Sequence, residues 1–128
     1  MSSRHLRIAL GVLLVAAGLV LVFSPLAVAS ALSRPAETKP QLINLRASWG
    51  GAVLGIGAFV AWLDAARPWK RALVGAVMWL MIGIGAARAI GFVLDGGPDT
   101  LQWVWLTAEV AIAAACALGL RKMRAAPG

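Results

Sequence analysis

The sequence contains few of the residues that usually build catalytic and metal sites. It has one cysteine, one histidine and five acidic residues in a chain of 128. A single cysteine excludes an intramolecular disulfide. One histidine and one cysteine far apart predict no bound metal. The sequence also has no phosphate-binding loop, dinucleotide fingerprint or nucleophile–base pattern, so we expect no cofactor. An enzymatic role is uncertain and is favoured less than a non-enzymatic one.

Charged residues are also scarce, at 13% of the chain, whereas hydrophobic residues make up 61%. An average soluble domain has about 25% charged residues. Four apolar segments are each long enough to cross a bilayer, which needs about 20 residues. We therefore predict an all-α integral membrane protein, a four-helix bundle that forms a single domain over residues 1–128. The helices are expected near residues 8–33, 43–63, 72–94 and 100–120.

The first apolar segment has two interpretations. Its basic start, its apolar stretch and the sequence Ala27-Val28-Ala29 resemble a cleavable signal peptide. However, the stretch from Ile8 to Phe23 slightly exceeds the usual signal-peptide core, and Pro25 falls within the segment rather than after it. We favour a retained membrane helix, and cleavage stays open.

The basic residues predict how the helices cross the membrane. Eight of the twelve lysines and arginines lie in the N-terminal arm, the turn at 64–71 and the C-terminal tail. The loop at 34–44 holds two, and the loop at 95–99 holds none. The positive-inside rule then predicts a multi-pass protein with both termini in the cytoplasm. Basic clusters at segment ends also suit anionic headgroups, so membrane lipids are expected partners and nucleic acid is not.

Two charges lie inside otherwise apolar segments. Arg88 is the only charge in residues 72–94, and Glu109 is the only charge in residues 100–120. Such charges are costly in hydrocarbon and usually face the protein interior, where they pair. At 1.5 Å per helical residue, Arg88 lies roughly 10 Å and Glu109 roughly 12 Å from the boundary near Asp95. Because these depths match on adjacent antiparallel helices, we predict that the two side chains pair.

Further polar and aromatic residues are expected beside this pair. Arg46 begins the second helix near the same boundary, and Asp95 is placed to engage either arginine. Considered alone, Arg46 also suits the role of an interfacial anchor. Asp95, considered alone, suits the role of a turn residue. The predicted polar cluster comprises Arg46, Arg88, Asp95, Glu109, Gln102, Trp49 and Trp105.

Small residues recur at helical spacing in two segments. Gly51-x-x-x-Gly55 and Ala87-x-x-x-Gly91 allow two helix backbones to approach closely. Packing within the chain is favoured over dimerisation as the explanation.

Three functions are compatible with these patterns. The first is binding of a small amphiphile or lipid headgroup by the polar cluster, with tryptophans as walls. The second is a structural or accessory role, in which the Arg88–Glu109 pair only fixes helix register and the glycine faces dock a membrane-protein partner or a second copy. The third, the weakest, is an intramembrane enzyme with Glu109 as general acid or base.

Spaced motifs along the chain resemble a known family. These are Arg46-Ala47-Ser48-Trp49-Gly50-Gly51, Gly85-x-x-Arg88-x-x-Gly91, Asp95-Gly96-x-Pro98 and Glu109, together with Pro25. They are similar to the bacterial membrane family described as domain of unknown function 4345, and more distantly to DoxX-like four-helix proteins. The resemblance implies a four-helix protein of the bacterial inner membrane whose role is not established. Its recurring polar positions correspond to Arg46, Arg88, Asp95 and Glu109. Trp49 departs from the smaller ring or the tyrosine that the resemblance leads us to expect at its position.

Overall fold

The computed structural model describes residues 2–34, 36–64 and 68–125. These residues form helices and no strands, and four helices are long and apolar enough to cross a membrane. The predicted all-α architecture with four candidate spans is confirmed. Pro35 and Arg67, which belong to the predicted connections, lie outside the described residues. The helices are α1 (Ser3–Val22), α2 (Pro25–Leu32), α3 (Lys39–Trp62), α4 (Trp69–Leu94) and α5 (Thr100–Ala125).

The first predicted segment is two helices rather than one. We expected a continuous helix over 8–33, but α1 ends at Val22 and α2 begins at Pro25. Proline has no backbone N–H, so it cannot continue the hydrogen-bond ladder of α1, yet it suits the first position of a new helix. The Ser24 amide donates instead to the Leu21 carbonyl, at 3.3 Å. This break leaves the Val22 carbonyl without a partner from its own helix.

Helix α3 begins four residues before the predicted position 43. Thr38 and Gln41 form a reciprocal capping box, in which each side chain accepts the other residue's backbone N–H at 3.3 and 3.0 Å. Pro40 lies in the first turn, where its missing N–H costs nothing. The sequence pattern placed this proline in the loop at 34–44, but here it helps to start a helix.

A π-helical segment interrupts α3 over Arg46–Gly51. The residues before it, Lys39–Leu45, and after it, Ala52–Trp62, are α-helical. A π-helical turn holds an additional residue, so it rotates the side chains that follow relative to those that precede it. The sequence pattern did not predict this segment.

Two glycines and an aspartate form the connection between α4 and α5. Gly96 and Gly97 follow α4 with φ angles of +67° and +57°, a conformation that glycine adopts at little cost. The Asp99 carboxylate then accepts the Gln102 backbone N–H at 2.9 Å, which caps the start of α5.

The long helices form an antiparallel row in chain order. Helix α3 packs between α1 and α4, and α5 packs along α4. We call the end of the row that contains the α4–α5 connection the Asp95 end. The opposite end, called the basic end, contains the start of α1, the α3–α4 connection and the end of α5. Extensive packing of α5 within the described residues is limited to α4, so much of its apolar surface is exposed.

Glycines set the close spacing of α3 and α4. A Cβ atom added at Gly51 would lie 2.7 Å from the Gly83 carbonyl oxygen, and one at Gly55 would lie 2.8 Å from the Leu80 Cα. These distances are too short for real Cβ contacts, so the two backbones touch where side chains would otherwise stand. The Gly51-x-x-x-Gly55 spacing therefore serves packing within the chain, as predicted.

This close approach predicts different effects for two neighbouring glycines of α4. Gly83→Ala would place a Cβ against the Gly51 carbonyl and 2.5 Å from the Gly55 amide nitrogen. Gly85→Ala would meet the Glu109 side chain at 3.6 Å and the Leu106 side chain at 3.9 Å, which are ordinary contact distances. We expect Gly83→Ala to lower the free energy of unfolding by about 1–3 kcal/mol. Gly85→Ala should be neutral or slightly stabilising, because alanine favours a helix by roughly 0.5–1 kcal/mol over glycine. Denaturation in detergent micelles, followed by circular dichroism, measures both. Equal stability of the two variants would contradict the packing described here.

Candidate functional site

The four predicted charged residues form two ion pairs. Arg88 pairs with Glu109, and Arg46 pairs with Asp95. No hydrogen bond connects one pair to the other within the described residues. The single cluster expected from the sequence is therefore divided, and Asp95 engages Arg46 rather than Arg88. From the sequence alone, either Arg46 or Arg88 was a possible partner of Asp95.

Arg46 connects three helices at the Asp95 end. Its Nε and Nη2 atoms each donate to one oxygen of the Asp95 carboxylate, both at 2.8 Å, in a two-pronged contact. Its Nη1 atom donates to the Val22 carbonyl at 2.6 Å. That carbonyl was left free by the break before Pro25, and it lies at the negative end of the α1 dipole. Arg46 is 8% exposed, so it does not reach the surface as an interfacial anchor would.

Arg88 joins α4 to α5 near the middle of the site. Its Nη2 donates to Glu109 Oε1 at 2.8 Å, and its Nε lies 3.0 and 3.1 Å from the two carboxylate oxygens. Its Nη1 donates to the Gln102 side-chain oxygen. Arg88 is 3% exposed and Glu109 5%. The pair predicted from matching depths is therefore present, buried, and extended by Gln102.

A cavity of about 390 Å³ opens beside the Arg88–Glu109 pair, in the groove between α3 and α5 over α4. Arg88 and Glu109 supply its charged atoms. Asn44 and Ser48 add an amide and a hydroxyl from α3, and Trp105 forms part of the wall. The remaining lining is apolar: Met81, Ile84, Ala108 and Ile112.

The groove continues toward the Asp95 end. A second cavity, of about 420 Å³, shares Asn44 and Trp105 with the first. Its other lining residues include Gln41, Asp99 and Gln102, so it is more polar. Together the two cavities, called here the α3–α5 groove, extend from the polar start of α5 to the buried Arg88–Glu109 pair.

The guanidinium of Arg88, a lining residue of this groove, keeps unused hydrogen-bonding capacity. An arginine side chain has five N–H groups. Glu109 accepts from the Nε–H and from one N–H of Nη2, and Gln102 accepts from one N–H of Nη1. One N–H on each terminal nitrogen therefore has no partner within the described residues. Arg46 is similar in this respect, but it lines neither cavity. Of these two buried arginines, only Arg88 therefore combines unused donors with a cavity of the groove.

The two predicted tryptophans differ in position. Trp105 lines both cavities of the groove and is 50% exposed. Trp49 is 43% exposed and lines neither cavity. Trp49 therefore does not form part of the wall that the sequence analysis expected.

Comparison with protein families identifies the chain. A family model described as domain of unknown function (DUF4345) matches residues 2–120, which is most of the sequence. The chain belongs to this family. Comparisons with curated proteins and with solved structures give no significant match. The more distant likeness to DoxX-like proteins stays a prediction.

In this DUF4345 member, one motif of the family resemblance, residues 46–51, coincides with the π-helical segment. Residues 46–51, Arg-Ala-Ser-Trp-Gly-Gly, are the six π-helical residues. Within them Arg46 faces Val22 and Asp95, Ser48 faces the groove, and Gly50 and Gly51 pack against α1 and α4. This one π-helical segment thus places residues against α1, against α4 and beside the groove.

Sequence reasoning missed Asn44 and Ser48. Their spacing of four residues puts them on one helix face, and the Ser48 hydroxyl donates to the Asn44 side-chain oxygen at 3.4 Å. Two polar residues one turn apart in an apolar segment were a usable signal. Which helix they would face was not deducible, because the π-helical segment shifts the helical phase.

Proposed function

We propose that this protein binds a small amphiphile or a lipid headgroup in the α3–α5 groove. The observation that carries the proposal is the pair of unused Arg88 N–H groups beside a cavity with mostly apolar walls. A ligand with a hydrogen-bond acceptor and a hydrocarbon part satisfies both features. Because Glu109 already neutralises Arg88, the acceptor is either neutral or weakly held as an anion.

The proposal includes the location of the protein. We infer a multi-pass protein of the bacterial inner membrane with both termini in the cytoplasm. The inference is supported by the eight lysines and arginines in the sequence of the N-terminal arm, the turn at 64–71 and the C-terminal tail. The groove then lies in the outer half of the membrane and opens sideways toward lipid. A ligand enters it from the outer leaflet.

The second candidate is an accessory subunit of a membrane complex. One observation favours it: α5 packs extensively only on α4 within the described residues and presents a long apolar face. Residues on that face include Leu101, Trp103, Val104, Val110 and Leu118, all more than half exposed. Under this alternative, the Arg88–Glu109 pair serves only to hold α5 in place.

Filling the groove tests the binding proposal without disturbing the ion pair. Ala108 lines the cavity, whereas Ala111, also on α5, is exposed and lines neither cavity of the groove. We expect Ala108→Trp to weaken binding of single-chain amphiphiles at least about tenfold, equivalent to about 1.4 kcal/mol. Ala111→Trp should bind as the wild type does.

Native mass spectrometry of the full chain with equimolar palmitate and monopalmitoylglycerol measures this effect. Preference for one probe identifies whether the acceptor is an anion or a neutral ester and hydroxyl. Equal binding by both tryptophan variants, or no adduct on the wild type, would overturn the proposal. A protein partner retained equally by all three chains would support the accessory role instead.

A further inference from the structure

A third cavity, which is polar, lies at the basic end, far from the α3–α5 groove. It has a volume of about 480 Å³ and is lined by Ser3, Arg4, Arg7 and Asp64. Ser3 and the two arginines belong to the first turns of α1, and Asp64 follows the end of α3. Arg4 and Arg7 are three residues apart, so they lie on one helix face.

Arg7 is held in place but mostly unpaired. Its Nη1 donates to the Asp64 backbone carbonyl at 3.1 Å, the only hydrogen bond that the described residues give its side chain. Its Nε is buried and has no hydrogen-bond partner. A buried donor without an acceptor is uncommon in native proteins and usually indicates a missing water, ion or ligand. Four of the five N–H groups of Arg7 are thus available to an acceptor.

The charge of the cavity indicates what that acceptor is. Arg4 and Arg7 contribute two positive charges and Asp64 one negative charge, which leaves one positive charge. Asp64 forms no ion pair with Arg7 in the described structure, since only its backbone oxygen is engaged. A phosphodiester carries one negative charge and several acceptor oxygens. It would balance the cavity and accept from both arginines and the Ser3 hydroxyl.

We propose that this cavity is a phosphate-binding site for an anionic phospholipid headgroup at the membrane boundary of the basic end. Arg7 is its fixed anchor, positioned by Asp64, and Arg4 closes the site from one helical turn away. The site is separate from the α3–α5 groove and does not depend on the function proposed for the groove.

Lipid competition tests the proposal on the full chain in detergent. The protein is offered equimolar phosphatidylglycerol and phosphatidylcholine with identical acyl chains, and bound lipids are counted by native mass spectrometry. The wild type should retain phosphatidylglycerol preferentially. Arg7→Gln and Arg4→Gln should each reduce that preference about fivefold. Arg121→Gln removes one charge at the same end, outside the cavity, and should leave the preference unchanged.

Two further results complete the test. Arg4→Gln keeps the Arg7–Asp64 contact, so it reports on binding even if Arg7→Gln fails to fold. Inorganic phosphate at millimolar concentration that displaces phosphatidylglycerol would identify free phosphate as an occupant, and no displacement would assign the site to lipid alone. A wild type without preference for phosphatidylglycerol, or variants that all retain the wild-type preference, would overturn the proposal.

Discussion

Arg88→Leu is expected to lower the free energy of unfolding by about 3–5 kcal/mol, because it leaves the Glu109 carboxylate buried without its counter-charge. Glu109 is 5% exposed, and the hydrogen bonds of its carboxylate in the described structure all come from Arg88. Gln102 loses the partner of its side-chain oxygen in the same variant. Denaturation in micelles, followed by circular dichroism, measures the loss.

A double substitution tests whether the loss of stability comes from the direct pairing of Arg88 with Glu109. Replacing both members of a buried ion pair by apolar residues of similar size is often neutral or stabilising. Arg88→Leu with Glu109→Leu should therefore recover most of the stability lost by either single variant. If the double variant were as unstable as the single ones, direct pairing would not be the source of the effect.

The double-leucine variant also distinguishes the two candidate functions. It should fold yet lose binding of the single-chain amphiphiles, because the unused Arg88 N–H groups are gone while the apolar walls of the groove remain. Retained binding would show that the pair serves only as a scaffold.

Arg46→Leu is expected to have an effect of similar size for a different reason. It removes both hydrogen bonds that the Asp95 carboxylate receives from Arg46, and it frees the buried Val22 carbonyl. Loss of a buried charge partner costs about 3–5 kcal/mol, and an unsatisfied buried backbone group costs about 1–3 kcal/mol. Because the two costs share one side chain, they will not simply add.

Two control variants distinguish the effect of the Arg46 charge from the effect of its side-chain shape. Arg34→Leu removes an exposed cation at the same end and should change stability by at most about 0.5 kcal/mol. Arg46→Lys keeps the charge but lacks the planar fork, so we expect an intermediate loss. Hydrogen exchange provides a local readout, since α2 amides should exchange faster once α1 is no longer tied to α3. Unchanged exchange and stability in Arg46→Leu would contradict this role.

Arg46 and Arg88 therefore have different roles although both are buried. The charge of Arg46 is neutralised by Asp95, and its Nη1 atom donates to the Val22 carbonyl. Arg46 thereby joins α1, α3 and α4. Arg88 joins α4 and α5 and still presents donors to a cavity. A variant series at Arg46 should affect mainly folding, and one at Arg88 should affect folding and binding.

Several elements of this fold follow directly from the sequence. The apolar segments require helices, since a chain in hydrocarbon must satisfy its backbone groups internally. The position of Arg88 and Glu109 in adjacent helices joined by a short loop determines their depth, and charges at equal depth pair because isolation is costly. Gly96 and Gly97 end α4 as their backbone preferences require.

Other elements depended on competition between local and tertiary contacts. Pro25 inside an apolar segment is compatible with a kink or with a complete break, and the break is stabilised by Arg46 capping the Val22 carbonyl from another helix. Pro40 suited either a loop or a first turn, and the Thr38–Gln41 capping box selected the turn.

By itself, the sequence determined the helical architecture, the four candidate spans and the Arg88–Glu109 pair, because hydrophobicity and rise per residue are properties of single helices. The tertiary structure alone decided that Asp95 joins Arg46, that Asn44 and Ser48 face the groove, and that Trp49 does not. These choices depend on helix rotation, which the π-helical segment Arg46–Gly51 resets. Rotation is fixed by contacts between distant parts of the chain, such as Gly51 against Gly83, and no periodicity within one helix contains that information.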